Sequence, residues 1–372
     1  MKIAIVGGGI GGLTTALALK ESGHQVIIYE SAPEIKPVGA GIIMANNAMQ
    51  VFDKLGMRQK IENAGHLISS IKITDAQLNT ISATDLAKFE QKYGVHNVAI
   101  HRADLQKILA DETGFQNIQL SKRLLKIERE HDFKLTFDDG STVSCDVLIG
   151  ADGIKSIVRN SLFGAGTLRD TKQRCWRGVC EFDGASEYDH QAIEAWGKGK
   201  RFGFVKISAH KIYWFAVIKD KQMNDNPNLA ELFKDFHPAI IKIIAKTPKD
   251  NIIFSDLIDL QPITKWQDGK VCLIGDAAHA TTPNMGQGAC QAVEDAYVLG
   301  KLFNEGKRVE DVFAQYEKMR VEKAHFIVNT SWKIGEVAHF ENSIAIWLRN
   351  ALIKAMPKSA NEKQLDKIFS IE

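Results

Sequence analysis

The first thirty residues carry the pattern that most restricts what this chain can fold into. A short apolar run, Lys2–Val6, leads into Gly7-Gly8-Gly9-Ile10-Gly11-Gly12. Apolar residues then recur at helical spacing, and a second β-rich run ends at Glu30. Strand, glycine turn, helix and strand in this order are the fingerprint of a βαβ unit that binds dinucleotides. We therefore predict an α/β chain with a Rossmann-like domain built on a parallel sheet.

Each part of the fingerprint has a physical task. We expect Gly7 to permit the tight turn, Gly9 to let the backbone approach a pyrophosphate, and Gly12 to bring the helix close to the strand. The helix N-terminus offers free N–H groups and positive dipole to phosphates. Glu30, at the tip of the second strand, can accept hydrogen bonds from the hydroxyls of an adenosine ribose. A glycine turn without a ligand is the alternative, and the pattern does not separate FAD from NAD.

Length and composition set the broad class of protein. The chain has 372 residues, of which 45% are apolar and 25% charged, so we expect two domains of ordinary globular composition. The formal net charge of +2 gives no electrostatic case for a nucleic-acid partner. The five cysteines are scattered, which favours a reducing, cytoplasmic compartment and predicts no metal site. No segment resembles a signal peptide or is long and apolar enough to span a bilayer.

Two later stretches show the same order of a buried strand followed by a glycine-containing loop. Residues 146–150 read as a buried parallel strand that runs into Ala151-Asp152-Gly153, for which a β-turn with a capping aspartate is the alternative. Residues 270–274 read as another buried strand, followed by Gly275-Asp276-Ala277-Ala278-His279, a loop and a helix of 3.6-residue period. The N-terminus of that helix would favour a developing anion. We expect His279 to be a hydrogen-bonded brace rather than a general base.

The middle of the chain follows a different pattern. Residues 201–207 and 211–217 are two aromatic-rich strand candidates joined by Ser208-Ala209-His210, which predicts an antiparallel hairpin outside the parallel sheet. Because this hairpin lies between the second and third glycine-containing motifs, we expect the cofactor domain to be discontinuous. The predicted boundaries are 1–70, 100–168 and 266–335 for the cofactor domain, 71–99 and 169–265 for an antiparallel substrate domain, and 336–372 for C-terminal helices.

Several shorter segments are also assigned. We predict a helix over 46–55, strands over 71–74, 118–127, 134–137 and 142–145, and helices over 103–109 and 228–245; residues 80–93 are left unassigned. Arg102 precedes a helix. It either contacts a cofactor or lies on the surface in water, and the sequence favours neither alternative. Residues 342–356 form an amphipathic pattern, which we expect to pack on its own domain rather than dock on a membrane surface.

The three motifs, in this order and spacing, resemble the class A FAD-dependent aromatic monooxygenases over nearly the whole chain. Within that family the segments Glu34–Gly39 and Thr281–Gly288 are most similar to FAD-dependent urate hydroxylases and zeaxanthin epoxidases. The resemblance implies FAD as cofactor, NADPH or NADH as electron donor, and O₂ as co-substrate. It also implies hydroxylation or epoxidation of a small aromatic, heteroaromatic or polyene substrate through a hydroperoxide at flavin C4a.

The resemblance further implies roles for individual residues. Arg201, Tyr213 and Asn284 match positions at the substrate site, where the urate enzymes have an aspartate in place of Asn284. Asparagine cannot carry that charge or take that proton, so this departure argues against urate, and the Trp176-Arg177-Gly178 segment departs from the urate pattern as well. From the residues alone, an equal alternative is that Arg201 lies at the solvent-facing end of its strand and Tyr213 forms a hydrogen bond within the core. The residues expected to contact the cofactor are Gly7, Gly9, Gly11, Gly12, Glu30, Ser31, Ile43, Arg102, Leu124, Asp152, Asp276, Gly286, Gln287, Gly288, Ala289 and Cys290.

Other functions remain open from the sequence. A flavin-dependent reductase or halogenase would use the same cofactor motifs, although the tryptophan-rich halogenase signature is absent. A dinucleotide-binding protein without enzymatic activity and an NAD-dependent dehydrogenase are further alternatives. The expected partners are a small-molecule substrate and O₂, with the chain acting as a monomer or a homodimer.

Overall fold

The computed structural model describes residues 1–35, 40–182, 186–219 and 227–371. Residues 36–39, which belong to the Glu34–Gly39 segment, lie outside the described residues. The described strands are β1 (Lys2–Val6), β2 (Gln25–Tyr29), β3 (Gly41–Met44), β4 (His66–Ile68), β5 (Ser70–Asp75), β6 (Thr80–Asp85), β7 (Asn97–His101), β8 (Ile118–Gln119), β9 (Leu124–Arg129), β10 (Phe133–Phe137), β11 (Thr142–Cys145), β12 (Val147–Gly150), β13 (Leu168–Glu181), β14 (Gln191–Trp196), β15 (Lys200–Lys206), β16 (Lys211–Ile218), β17 (Ile253–Leu260), β18 (Gln267–Asp268) and β19 (Val271–Leu273). The described α-helices are α1 (Ile10–Ala18), α2 (Asn46–Lys54), α3 (Arg58–Ala64), α4 (Ala87–Tyr93), α5 (Arg102–Thr113), α6 (Ile157–Leu162), α7 (Leu229–Leu232), α8 (Pro238–Lys246), α9 (Asp276–His279), α10 (Gly288–Phe303), α11 (Val309–Ala338), α12 (Ser343–Ala355) and α13 (Lys358–Phe369).

A six-stranded sheet forms the base of the molecule, in the order β18-β19-β12-β1-β2-β8. β1 pairs in parallel with β2 and β12, and β12 pairs in parallel with β19, so three glycine-containing loops leave the same edge of the sheet. All four residues of β12 are buried, as expected for a parallel strand covered on both faces. The Rossmann-like unit predicted from the first thirty residues is therefore confirmed.

The second large sheet has seven strands in the order β17-β13-β16-β15-β14-β5-β6. The predicted hairpin is β15 and β16, antiparallel, with Arg201 opposite Val217 and Val205 opposite Tyr213. Side chains alternate between its two faces as expected. Phe202, Phe204 and Trp214 enter an aromatic core under α7 and α8, and the other face bears Arg201, Tyr213 and Phe215.

Two segments correct or complete the sequence assignment. Residues 118–127 are not one strand but two, β8 and β9, because the chain turns at Ser121 with a φ of 54°. Residues 80–93, left unassigned, form β6 and α4, and α4 ends at Gly94 in the left-handed conformation.

The C-terminal region adds the long helix α11 and the shorter α12 and α13. The amphipathic segment is helical and packs on its own chain, as predicted, through Arg349, which is buried, and through Ile346 and Ile353, which are half-buried. The packing is only partial, because Ile344, Trp347, Leu348 and Leu352 are exposed. None of the described helices is long and apolar enough to cross a membrane.

Candidate active site

A cleft of about 610 Å³ lies between the loop edge of the six-stranded sheet and the seven-stranded sheet. Its lining comes from nine stretches of the chain between Gly9 and Ala292, which is the usual construction of a pocket between two layers. The lining includes Gly9, Gly11, Ile43, Arg102, Gly153, Cys175, Arg177, Arg201, Tyr213, Phe215, Ser255, Asp256, Leu257, Ile258, Asp276, Gly286, Gln287, Gly288 and Ala289.

The glycine turn after β1 has the close contacts that the fingerprint predicts. Gly7 has a φ of 108°, and a Cβ there would lie 2.3 Å from the carbonyl oxygen of Ala151. A Cβ on Gly12 would lie 2.0 Å from the carbonyl oxygen of Gly7, so only glycine lets α1 start this close to the strand. No side chain of the described residues caps the N-terminus of α1 at Gly9. Its first N–H groups are therefore free to bind a phosphate.

Glu30 lies at the end of β2, beside the same turn. Its carboxylate accepts hydrogen bonds from the backbone N–H groups of Gly8, at 2.6 Å, and Ala32, at 2.8 Å, and from the hydroxyl of Ser31, at 3.1 Å. These bonds fix the carboxylate at the strand tip while leaving it half-exposed. A carboxylate held in this way can accept further bonds from the hydroxyl groups of a ribose.

A second helix N-terminus faces the cleft at Gly288, where α10 begins without a side-chain cap from the described residues. The preceding Gly286 is left-handed, with a φ of 62°, which turns the loop into the helix. Cys290, two residues into α10, does not line the cleft: it is buried, with its thiol 3.6 Å from the carbonyl oxygen of Ile43. Two uncapped helix N-termini thus point at one cleft, an arrangement suited to anionic groups.

A buried charge cluster holds the second of these loops in place. Asp295 accepts hydrogen bonds from the N–H of Gly275 at 2.9 Å and from Nε of Arg320 at 2.9 Å, and lies 2.6 Å from Nε2 of His279. Burial alone would raise the pKa of Asp295, but His279 and Arg320 outweigh it and lower that pKa to about 2. Arg320 also binds Glu294 at 2.7 Å. His279 is therefore a brace, as expected, and it does not line the cleft. The sequence reasoning missed Asp295 and Arg320.

Arg201 lines the sheet side of the cleft and is only 1% exposed. Its guanidinium binds the carboxylate of Glu194 at 2.9 Å and donates a second hydrogen bond to the side-chain oxygen of Asn284. The amide nitrogen of Asn284 donates to Thr282 and to the carbonyl oxygen of Ser331. The structure therefore brings Arg201 and Asn284 together, and adds Glu194, which the sequence did not indicate.

Tyr213 lines the cleft together with Arg177, and the two residues belong to the adjacent antiparallel strands β16 and β13. Burial raises the pKa of Tyr213, so the phenol is neutral at physiological pH. Arg177 also donates to the hydroxyl of Ser255 at 2.9 Å. Among the described residues no carboxylate lies within 4 Å of this guanidinium, in contrast to Arg201. Arg177 and Cys175 lie two residues apart on β13, and both line the cleft. Because side chains alternate between the two faces of a strand, this spacing is the sequence signal that places Arg177 on the cleft side.

The remaining predicted cofactor residues divide into two groups. Arg102 and Asp276 line the cleft, where both side chains are exposed. Asp152 instead caps α6, accepting from the hydroxyl of Ser156 at 2.5 Å and the N–H of Ile157 at 2.7 Å. Leu124 is a buried core residue away from the cleft.

Comparison with known proteins matches this geometry to a family. Residues 1–331 match the family model described as an FAD binding domain. The chain is 37% identical to aurachin C monooxygenase/isomerase of Stigmatella aurantiaca, covering 96% of this chain and 94% of that protein. It is 30% identical to 2-heptyl-3-hydroxy-4(1H)-quinolone synthase of Pseudomonas aeruginosa, covering 100% and 98%. The crystal structure of Klebsiella pneumoniae HpxO complexed with FAD and uric acid has a TM-score of 0.92 and 28% identity, covering 99% and 96%.

The residues of the cleft fit FAD. Two helix N-termini and Arg102 offer positive potential to a pyrophosphate, and Glu30 offers a carboxylate to a ribose. When bound, FAD would carry two electrons from NAD(P)H to O₂, so that one oxygen atom of O₂ enters the substrate and the other leaves as water, while the residues of the cleft bind and orient the substrate and exclude solvent. From this agreement of family model, relatives, fold and cleft, the chain belongs to the class A FAD-dependent monooxygenases.

Proposed function

We propose that the substrate of this monooxygenase is an uncharged bicyclic heteroaromatic ring with one ring oxygen substituent and an alkyl chain, and that 2-alkyl-4(1H)-quinolones represent the class. The observation that carries this proposal is the difference between the two arginines on the sheet side of the cleft. Arg201 is neutralised by Glu194, whereas Arg177 has no carboxylate partner among the described residues. The sheet side of the cleft therefore offers Arg177 as a cation with no carboxylate within 4 Å among the described residues, while the carboxylate of Asp256, which also lines the cleft, lies 3.9 Å from Arg174.

The neutralised Arg201 argues against an anionic purine. A guanidinium that already binds a carboxylate at 2.9 Å has little charge left to attract a second anion. Asn284 adds no charge, and its amide group is occupied by Arg201, Thr282 and Ser331. We propose that these residues form a fixed polar wall that shapes the site.

Arg177 and Tyr213 supply the chemistry that oxygen insertion needs from the protein. An electrophilic oxygen attacks a ring carbon fastest when the ring is electron-rich. A cation and a neutral phenol that hold the ring oxygen stabilise negative charge as it develops there, and so favour the enolate-like form of the ring. A 4(1H)-quinolone places such an oxygen next to the carbon that is hydroxylated in the product named for the Pseudomonas relative.

The apolar part of the cleft lining suits the alkyl chain of the proposed substrate. Phe215, Leu257 and Ile258 line the same cleft, and an alkyl chain buried against them gains the usual hydrophobic free energy. A Cβ on Gly203 would lie 2.2 Å from the ring of Phe215, so glycine at this position makes room for that ring. The name of the Pseudomonas relative includes a heptyl group, which is consistent with an alkyl-binding region.

The division of the chain follows from this proposal. We propose that residues 1–70, 100–168 and 266–335 bind FAD, that 71–99 and 169–265 bind substrate, and that 336–372 are C-terminal helices. Strands of the six-stranded sheet come from the first group, and strands of the seven-stranded sheet from the second, except that β5 begins at Ser70 and β13 at Leu168. We propose that the predicted cofactor residues bind FAD from the glycine-containing loops at the edge of the six-stranded sheet. In this proposal Asp152 and Cys290 stabilise those loops and do not contact FAD.

The experiment is a substrate panel with product identification. The FAD-loaded protein is mixed with NADH or NADPH and with 2-heptyl-4(1H)-quinolone, urate or salicylate, and NAD(P)H oxidation is followed together with the mass of the product. We expect the quinolone to stimulate oxidation and to gain one oxygen atom. Vigorous turnover of urate without turnover of the quinolone would refute the proposed substrate class.

A matched pair of variants tests the role of Arg177. Arg177→Met should lower kcat/KM for the quinolone by roughly 10- to 100-fold, the loss of a hydrogen bond to a charged group, with FAD content unchanged. Arg174→Met, on the same strand but outside the cleft lining, should retain activity. Equal activity of the two variants would move the oxygen-binding role elsewhere.

A further inference from the structure

The large exposed apolar side chains of this protein are concentrated in one place. Of the twelve in the described part of the chain, seven lie between Val337 and Met356. Five of these form one stripe along α12 and its end: Ile344, Trp347, Leu348, Leu352 and Met356. Single exposed apolar residues are normal on any protein, but a contiguous patch indicates a surface that binds something.

Helix α12 carries apolar residues on both sides: Ile346 and Ile353 are half-buried against the protein, and the stripe faces outward. Arg349 faces inward and is 4% exposed, and its guanidinium donates to the carbonyl oxygens of Val337, at 3.2 Å, and Ala338, at 3.1 Å. It also lies 5.0 Å from the ring centre of Trp196 in the seven-stranded sheet. Trp347, in contrast, is 69% exposed and Leu352 is 62% exposed. The inward arginine fixes the orientation in which the apolar stripe faces outward.

Within residues 343–360 the charged side chains have one sign, and of the two glutamates just outside this segment, Glu341 and Glu362, the second pairs with Lys88. Residues 343–360 include Arg349, Lys354 and Lys358 but no aspartate or glutamate, in a chain that has 45 acidic residues. Lys354 and Lys358 are exposed, and within the described ranges neither forms an ion pair. An apolar stripe with a tryptophan and flanking lysines matches a bilayer surface, where the rings enter the interface and the lysines meet anionic headgroups.

We propose that α12 docks this enzyme on the surface of an anionic lipid bilayer, lying in the membrane plane with its apolar stripe in the headgroup region. The helix has 13 residues and spans about 20 Å, so it lies on the bilayer and does not cross it. The proposal rests on the stripe and its charges alone and is independent of the substrate class proposed above. A bilayer surface is also where molecules with long alkyl chains are found.

A second copy of the chain fits the stripe less well. In a symmetric dimer the same patch appears on both sides of the interface. Lys354 and Lys358 of one copy would then face a patch that contains no acidic residue over 343–360, and like charges at an interface oppose association. An anionic membrane instead supplies the missing negative charge.

Vesicle flotation of the full-length, FAD-loaded protein tests the proposal. Vesicles of phosphatidylcholine alone are compared with vesicles that also contain phosphatidylglycerol. We expect binding to the anionic vesicles that weakens as salt is added. The Trp347→Ser/Leu352→Ser double variant and the Lys354→Glu/Lys358→Glu double variant should each bind about tenfold more weakly or worse.

A control variant separates this surface from general apolar exposure. Phe115 and Leu125 are 51% and 57% exposed outside the C-terminal region, so Phe115→Ser/Leu125→Ser should bind vesicles like the wild type. All variants replace exposed residues, and unchanged FAD content and near-UV circular dichroism show that they are folded. Absence of wild-type flotation, or equal flotation of the Trp347→Ser/Leu352→Ser variant, would overturn the proposal. So would a wild-type dimer in light scattering that this variant converts to a monomer.

Discussion

Replacing Asp295 with Asn tests how the cleft is held together. Asp295 is fully buried and connects three parts of the chain: the loop at Gly275, the brace His279 and the long helix α11 through Arg320. Asparagine has nearly the same size and retains one acceptor oxygen, so the change removes a charge without leaving a cavity. The effect then measures the electrostatic contribution of this carboxylate.

The expected magnitude follows from the structure. The pKa of Asp295 falls from 3.8 to about 2, because His279 and Arg320 favour the ionised form more than burial opposes it. Each pKa unit corresponds to about 1.4 kcal/mol, which gives about 2–3 kcal/mol for the charged form. Arg320 keeps Glu294 at 2.7 Å, so its charge is not left unpaired. We therefore expect Asp295→Asn to lower the free energy of unfolding by about 2–4 kcal/mol, at or below the cost of breaking a buried ion pair.

The sign of the pH dependence is fixed by the same shift. A carboxyl group whose pKa is lower in the folded state stabilises the fold fully above its unfolded pKa of 3.8, and that contribution is lost as the pH falls through about 2. The difference between wild type and variant should therefore be complete at neutral pH.

Urea unfolding followed by circular dichroism measures the stability, and flavin fluorescence measures FAD affinity, which should fall because the loop at Gly275 loses its acceptor. Asp111→Asn is the control, because Asp111 forms an exposed surface pair with Lys107 and should change stability by less than about 0.5 kcal/mol. An Asp295→Asn protein as stable as this control would refute the claim that the buried cluster supports the cleft.

Two further predictions concern single residues. Glu30→Ala should weaken FAD binding by roughly 10- to 150-fold, since hydrogen bonds to a charged group contribute about 1.5–3 kcal/mol, and unchanged affinity in a fluorescence titration would show that Glu30 does not hold the ribose. His339 is buried next to Arg201, and its pKa is lowered from 6.5 to about 3, first by burial and then by that positive charge. Between these values only the unfolded state binds the proton, so stability should fall by about 1.4 kcal/mol for each pH unit below 6.5. His339→Gln should reduce that slope in urea unfolding, and an unaltered slope would contradict the assignment.

The fold was largely readable from local patterns. The glycine fingerprint, the buried strand before Asp152 and the alternation in the hairpin each depend on short-range rules, and all three elements form where expected. The errors arise where tertiary contacts override those rules. In α12 the periodicity predicts the helix correctly, but it does not reveal that Arg349 finds acceptors at Val337 and Ala338, so that a second apolar stripe of the helix is left exposed.

The substrate side of the cleft shows a deeper limit of sequence reasoning, because a sequence shows charges and not their partners. Arg201 and Arg177 are equally cationic residues on neighbouring regions of one sheet. Only the antiparallel register of β14 on β15, which places Glu194 opposite Gly203 and diagonal to Arg201, neutralises one of them. No comparable carboxylate reaches Arg177 from the described residues. Strand register thus decides the sign of the electrostatic potential that a substrate meets on this side of the cleft. The effect of having Asn284 where the urate enzymes have an aspartate therefore depends on which neighbouring charges the register brings close to it.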